Sequence, residues 1–161
     1  MSEIPGAAER RMTEIYVDAD ACPVREEIYR VADRLRLQVY VVSNGSRPIP
    51  PARRDHVQMV TVEEGADKAD DWIAERIGPQ DVCVTSDIPL ASRCLAQGAR
   101  ALAPTGKLWT PDNIGGALAG RELSRHLREL GGGGGPPPFA KQDRSRFLSA
   151  LDTLVQQALR A

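Results

Sequence analysis

Aromatic side chains are scarce, at 4% of the 161 residues, which leaves few platforms for stacked bases and gives single-strand binding by stacking little support. Histidine occurs twice, as His56 and His126, isolated residues that read as surface or core. Cysteine occurs three times, as Cys22, Cys83 and Cys94. That odd count, at spacings of neither a zinc site nor a disulfide framework, fits a reducing compartment. Cys22, at a helix start with no histidine near it, reads as a packed, inert thiol, and Cys83 as a core thiol. No apolar run approaches the roughly 20 residues of a membrane span, and the opening MSEIPGAAERRM lacks the apolar centre of a signal peptide, so the cytoplasm is the expected location. Neither sign of charge dominates: the net charge is −1 and the pI about 6.1. A nucleic-acid partner must therefore be held locally, without help from an overall basic field.

Hydrophobic residues at 42% and charged residues at 27% are ordinary for a globular chain, and the length suits one domain. Residues 1–12 are polar and contain Pro5 and Gly6, so they are expected as a loose leader, with Met12 an alternative start. From there short β-branched runs alternate with stretches of helical period. Strands are expected at Ile15 to Val17, Gln38 to Val42, Val57 to Val62, Asp81 to Thr85 and Ala101 to Leu102. Helices are expected at Pro23 to Leu35, Asp67 to Ile77, Pro89 to Gln97 and Pro111 to Leu130. This alternation predicts an α/β three-layer sandwich with a mainly parallel central sheet over residues 13–130. Pro23, Pro89 and Pro111 each suit a first helical turn, preceded by Asp20, by Ser86 or Asp87, and by Thr110 as caps. The GGGGGPPP of residues 131–138 predicts a linker. Beyond it, Phe147, Leu148, Leu151, Leu154, Val155 and Ala158 describe an amphipathic helix within residues 139–161, expected to dock on the domain.

In an open α/β sheet, ligands bind outside the carboxyl ends of the strands, and here those ends are acidic. The first strand closes on Asp18-Ala19-Asp20, which an extended backbone would place on one side. The fourth closes on Thr85-Ser86-Asp87. Between them ADKADDW opens a helix in which Asp70 lines up with Ile73 and Ile77 on the inward stripe. Carboxylates brought together repel one another unless protons or a cation neutralise them, and hard oxygen donors select Mg²⁺ or Mn²⁺. Asp18, Asp20, Asp70, Asp71 and Asp87 are thus candidate metal ligands, with Asp18, Asp87 and Asp70 or Asp71 catalytic. For Asp20, Asp87 and the Asp70-Asp71 pair, helix capping is an equally good explanation. Asp18, at the end of an apolar strand, has no capping role in view. Asn44 and Arg47 in SNGSRPIP, with Lys141, Arg144 and Arg146 in AKQDRSRF, are candidates to grip substrate phosphate, the alternative being a solvated charged turn.

The strings YVDADACPV, SNGSRPIP, GADKADDWIAE, VTSDIPLASRCL, TPDNIG and AKQDRSRFL closely resemble the bacterial YaiI/YqxD family, over about Thr13 to Leu159. That family is similar to the PIN-like nuclease superfamily, and the resemblance implies a PIN-like fold whose acidic residues hold Mg²⁺ or Mn²⁺ for phosphodiester hydrolysis. It places the first-strand acid on Asp18, the helix acid on Asp70 or Asp71, and the acid of a T-x-D-x-x-L motif on Asp87, with Asp20 and Asp112 as additional ligands. The chain departs from the family pattern in its longer glycine and proline linker, and in Ala140 and Gln142 where Ser and a basic residue are more usual, which weakens a basic clamp there.

Three functions follow as expectations. The first is a Mg- or Mn-dependent phosphodiesterase or ribonuclease acting on RNA or another phosphodiester. The second is a haloacid-dehalogenase-like phosphatase in which Asp18 attacks phosphorus and Asp20 is acid and base. The third is a non-catalytic nucleotide or RNA binding module.

Overall fold

A computed structural model describes residues 13–45, 48–65, 67–129 and 139–160. The expected leader, Arg47 and the glycine-proline segment 131–138 lie outside the described residues. Strand β1 (Glu14–Asp18) is followed by a 3-10 turn (Ala19–Ala21) and helix α1 (Arg25–Leu35). Then come β2 (Gln38–Ser43), β3 (Val57–Thr61), α2 (Lys68–Arg76), β4 (Val82–Val84), α3 (Ile88–Ala96), β5 (Arg100–Leu102), β6 (Leu108–Trp109), α4 (Pro111–Glu129) and α5 (Lys141–Arg160).

The six strands form one sheet in the order β3-β2-β1-β4-β5-β6. All neighbours are parallel except β5 and β6, where Ala101 faces Trp109. The register sets Asp18 opposite Val42 and Val17 opposite Val84. The chain thus winds outward from β1 to β3 and restarts on the other side of β1 with β4. The gap between the carboxyl ends of β1 and β4 is the switch point at which such sheets bind ligands.

The period of two along each strand sorts the core into two layers. Ile15, Val17, Val39, Val41, Val82 and Val84 face α1 and α5, where Ile28, Val31, Phe147, Leu151 and Val155 complete one buried cluster. The intervening Tyr16, Val42 and Cys83 face α2 and α3, meeting Ile73, Leu90 and Cys94. Each such aliphatic side chain, fully buried, contributes about 1.5–3 kcal/mol. The result is a three-layer α/β sandwich, with α5 as a component of the core. Helix α4 lies outside these layers: Ile114 and Ala117 pack on a small cluster of Ala91, Ala101, Ala103 and Trp109, and Leu123 is 60% exposed.

Helix starts follow the expected chemistry in two cases. Asp87 caps α3, its Oδ1 accepting from Leu90 N–H at 2.9 Å. Thr110 Oγ1 accepts from Asn113 N–H at 3.1 Å while Asn113 Oδ1 accepts from Thr110 N–H at 2.9 Å, a reciprocal cap before Pro111. Asp20 does not cap α1. That helix starts two residues later than expected, with Val24 at the cap position and no side-chain cap bond.

Candidate functional site

Asp18 is the last residue of β1 and shares the sheet face of Tyr16, the side covered by α2 and α3. Its Oδ2 accepts the hydroxyl of Thr85 at 2.8 Å, across the switch point from the residue after β4. Thr85, itself buried, accepts the N–H of Asp87 on the same oxygen at 2.9 Å. One threonine therefore fixes both strand ends relative to each other. Asp70, in the first turn of α2, approaches from above the same face.

Burial raises the Asp18 carboxyl above its ordinary value; the Thr85 hydrogen bond opposes this, and the charges of Asp87 and Asp20 add to it. Burial raises Asp70 to about 7, assisted by the charges of Asp87, Asp18 and Asp67. Arg93 offsets the shift, but its guanidinium is bonded to Asp71 at 2.9 Å on the exposed side of α2. Carboxylates from three elements thus lie near enough to act on one another electrostatically.

The other two expected acids, Asp20 and Asp71, make their hydrogen bonds elsewhere, although the charge of Asp20 still acts on Asp18. Asp18 and Asp20 are not on one side of an extended strand, because the chain turns into the 3-10 segment immediately after Asp18. Asp20 goes to the end of β2 instead, where its Oδ2 accepts the N–H of Asn44 at 3.2 Å. Asp71 faces outward and pairs with Arg93. Asp112 is exposed at the start of α4. Among the described residues no group of three or more His, Cys, Asp or Glu side chains is set closely enough to hold a metal ion.

Of the expected basic residues, Lys141 is exposed at the start of α5. Arg144 donates to the Pro23 carbonyl at 2.6 Å, lies 3.5 Å from Glu27 and covers the Phe139 ring. Arg146 donates to Asp143 at 3.2 Å. Arg144 therefore anchors α5 to the start of α1. Burial raises the Cys22 thiol to about 11, so it stays protonated and inert near neutrality, as a packed cysteine should.

Thr85 was not singled out from the sequence as more than part of a motif. Its signal was present: a hydroxyl two residues before an acid, at a strand end, bonds the local backbone readily. Arg25, which borders a cavity beside Asp20, carried no such signal.

The family model described as "Uncharacterized BCR, YaiI/YqxD family" matches residues 16–157. The chain is similar to a UPF0178 protein of Paramagnetospirillum magneticum, 56% identical over 150 residues that span 92% of this chain and 98% of that one. It is likewise similar to a UPF0178 protein of Rhodospirillum rubrum, 53% identical over 148 residues, 91% and 98% of the two chains. A UPF0178 protein of a Caulobacter species is 52% identical over 152 residues, 92% and 98% of the two. No solved structure matches the chain.

Proposed function

The chain belongs to the YaiI/YqxD family, and from the geometry of its own site we propose that it is a divalent-cation-dependent phosphodiesterase acting on RNA or another phosphodiester, in the manner of PIN-like nucleases. The observation that supports this is that Asp18, Asp70 and Asp87 act on one another's charge around the switch point, with Asp70 raised to about 7 by burial and by its acidic neighbours. Uncompensated negative charge of this kind is costly in a fold and marks functional sites more often than structural ones.

The donor set suits a hard cation. Mg²⁺ is commonly held by one or two carboxylates, with water and substrate phosphate completing its shell. Asp18 and Asp87 fit that arrangement even though no three-ligand group stands among the described residues. Such an ion, when bound, supplies stabilisation of the charge on the phosphoryl group. The chain's own residues do the remaining work. Thr85 holds the Asp18 carboxylate in one orientation. Asp87 is held by its cap bond to Leu90 at the mouth of α3. Asp70, with a carboxyl that exchanges its proton near neutral pH, is suited to take a proton from the attacking water or give one to the leaving oxygen. A phosphatase using Asp18 as nucleophile and Asp20 as its acid and base has less support, because Asp20 is turned toward Asn44.

Labelled RNA, single-stranded DNA and a generic phosphomonoester, each incubated with the protein in Mn²⁺ or in EDTA, test the reading beside Asp18→Asn. Cleavage of a phosphodiester in Mn²⁺ alone is expected, slowed about a hundredfold or more by the substitution. Absence of metal-dependent turnover on all three substrates overturns it.

A further inference from the structure

The sheet ends in two edge strands, β3 and β6, and they differ in how they are guarded. Strand β6 is two residues long, directly preceded by Lys107 and soon followed by Pro111. Shortness, lysine and proline are the usual means of keeping an edge from pairing. Strand β3 has none of them: its five residues Val57, Gln58, Met59, Val60 and Thr61 carry neither charge nor proline.

The groups that β3 offers follow from its bonds to β2. The His56 carbonyl accepts from Val39 N–H, and Val62 N–H donates to the Ser43 carbonyl. Even-numbered residues therefore turn their backbone toward β2 and odd-numbered ones turn it outward. Val57 uses its outward N–H on the Arg54 carbonyl. The Val57 carbonyl, and both backbone groups of Met59 and Thr61, have no partner among the described residues. Side chains on the two faces are also left half-buried: Met59 at the margin of the α1 layer, and Val60 and Val62 with Trp72 at the margin of the α2 layer. An added strand would extend both margins.

Charge selects the occupant. Arg53, Arg54, Asp55 and His56 precede the strand, and Glu63 and Glu64 follow it. Asp33 holds Arg54 and His56, whereas Arg53, Glu63 and Glu64 are exposed and have no ion pair among the described residues. A second copy laid parallel would set glutamates against glutamates. Laid antiparallel, it separates them and brings each pair to the end that carries the two arginines of the segment. Asp55 weakens that attraction, but the parallel alternative has only repulsion at its glutamate end. The segment is thus complementary to itself in one orientation.

We propose that β3 is the contact surface between two copies of this chain, joined antiparallel about a two-fold axis at Met59 into one continuous sheet. Met59 of each copy exchanges both backbone bonds with Met59 of the other, and each Thr61 N–H donates to the Val57 carbonyl opposite. The bond missing from a full ladder is the one whose donor, Val57 N–H, already closes a turn. Because the strands run oppositely, the two acidic switch points open at opposite ends of the joined sheet. The interface does not depend on the hydrolase reading.

Light scattering behind size-exclusion chromatography, on the full chain from about 1 to 100 μM, measures the mass. A species of twice the 17.5 kDa chain mass is expected. Thr61→Pro removes an outward donor at an exposed position and leaves the bonds to β2 in place. It is expected to weaken dimerisation about tenfold or more, with an unfolding temperature equal to that of the wild type at concentrations where both are monomeric. Arg53→Glu is expected to weaken dimerisation about threefold or more, and Glu64→Arg added to it to restore the affinity. A monomer over the whole range overturns the proposal; a Thr61→Pro variant that then unfolds at a lower temperature would assign the edge to a segment of the same chain. A dimer unmoved by Thr61→Pro or by Arg53→Glu overturns it too, as does growth beyond a dimer, since a two-fold pairing closes. If Thr61→Pro fails to fold, Arg53→Glu and its rescue decide.

Discussion

Thr85 is 1% exposed and serves two acids with one hydroxyl, donating to Asp18 and accepting from the backbone of Asp87. Asp70 has no such hydrogen bond among the described residues, and its chemistry is read through pH. Its folded pKa of about 7 lies above the ordinary 3.8, so the folded protein holds this proton more tightly than the unfolded chain does. The stabilisation from that proton is full below pH 4 and is lost as pH rises to 7. Asp70→Asn, which keeps the site neutral, should therefore match the wild type near pH 4 and exceed it above pH 7. The gain expected is about 1 kcal/mol, discounted from the full linkage value because the carboxyl is half exposed. Denaturation of metal-free protein across that range measures it; a gain that is constant with pH would show that burial and charge are not the cause. Asp18, Asp70 and Asp87 were legible in the sequence from strand ends and helical period. Asp20 is not legible in this way, because strand alternation ends at Asp18 and no residue in Ala19–Ala21 announces a 3-10 turn.

At the scale of elements, the parallel strands and their helices were legible because each carries a clear apolar period bounded by Pro, Gly or a capping side chain. Strand β6 was not, since two residues have no period, and its existence depends on the turn at Gly106. There φ is +94°, and an added Cβ would stand 2.8 Å from Arg146 Cγ and 3.0 Å from the Arg146 carbonyl carbon. Gly106→Ala is expected to cost about 3 kcal/mol through backbone strain and contact with α5. Gly115→Ala, in α4 with nothing within 4 Å, is expected to stabilise by about 0.5–1 kcal/mol. Chemical denaturation of the two variants distinguishes a glycine that the fold requires from one it merely tolerates; equal effects would remove the argument from the turn.

For the molecule as a whole, the proposed cation site predicts a stability that responds to ions. A divalent cation that binds only the folded state should raise the unfolding temperature of EDTA-treated protein at pH 8, by the equivalent of about 2.7 kcal/mol at a hundred times its Kd. The shift should disappear in Asp18→Asn. An equal rise in both proteins would assign the effect to general screening.

The bond between Asp18 and Thr85 joins residues 67 apart in sequence, and it connects the first strand of the sheet to the fourth. Closing so long a loop is entropically slow, and nothing local substitutes for it. Assembly of the centre is thus tied to completion of the sheet: a partly made chain carries Asp18 but has no partner for it, and the acidic centre comes into being only when the two halves of the fold have joined.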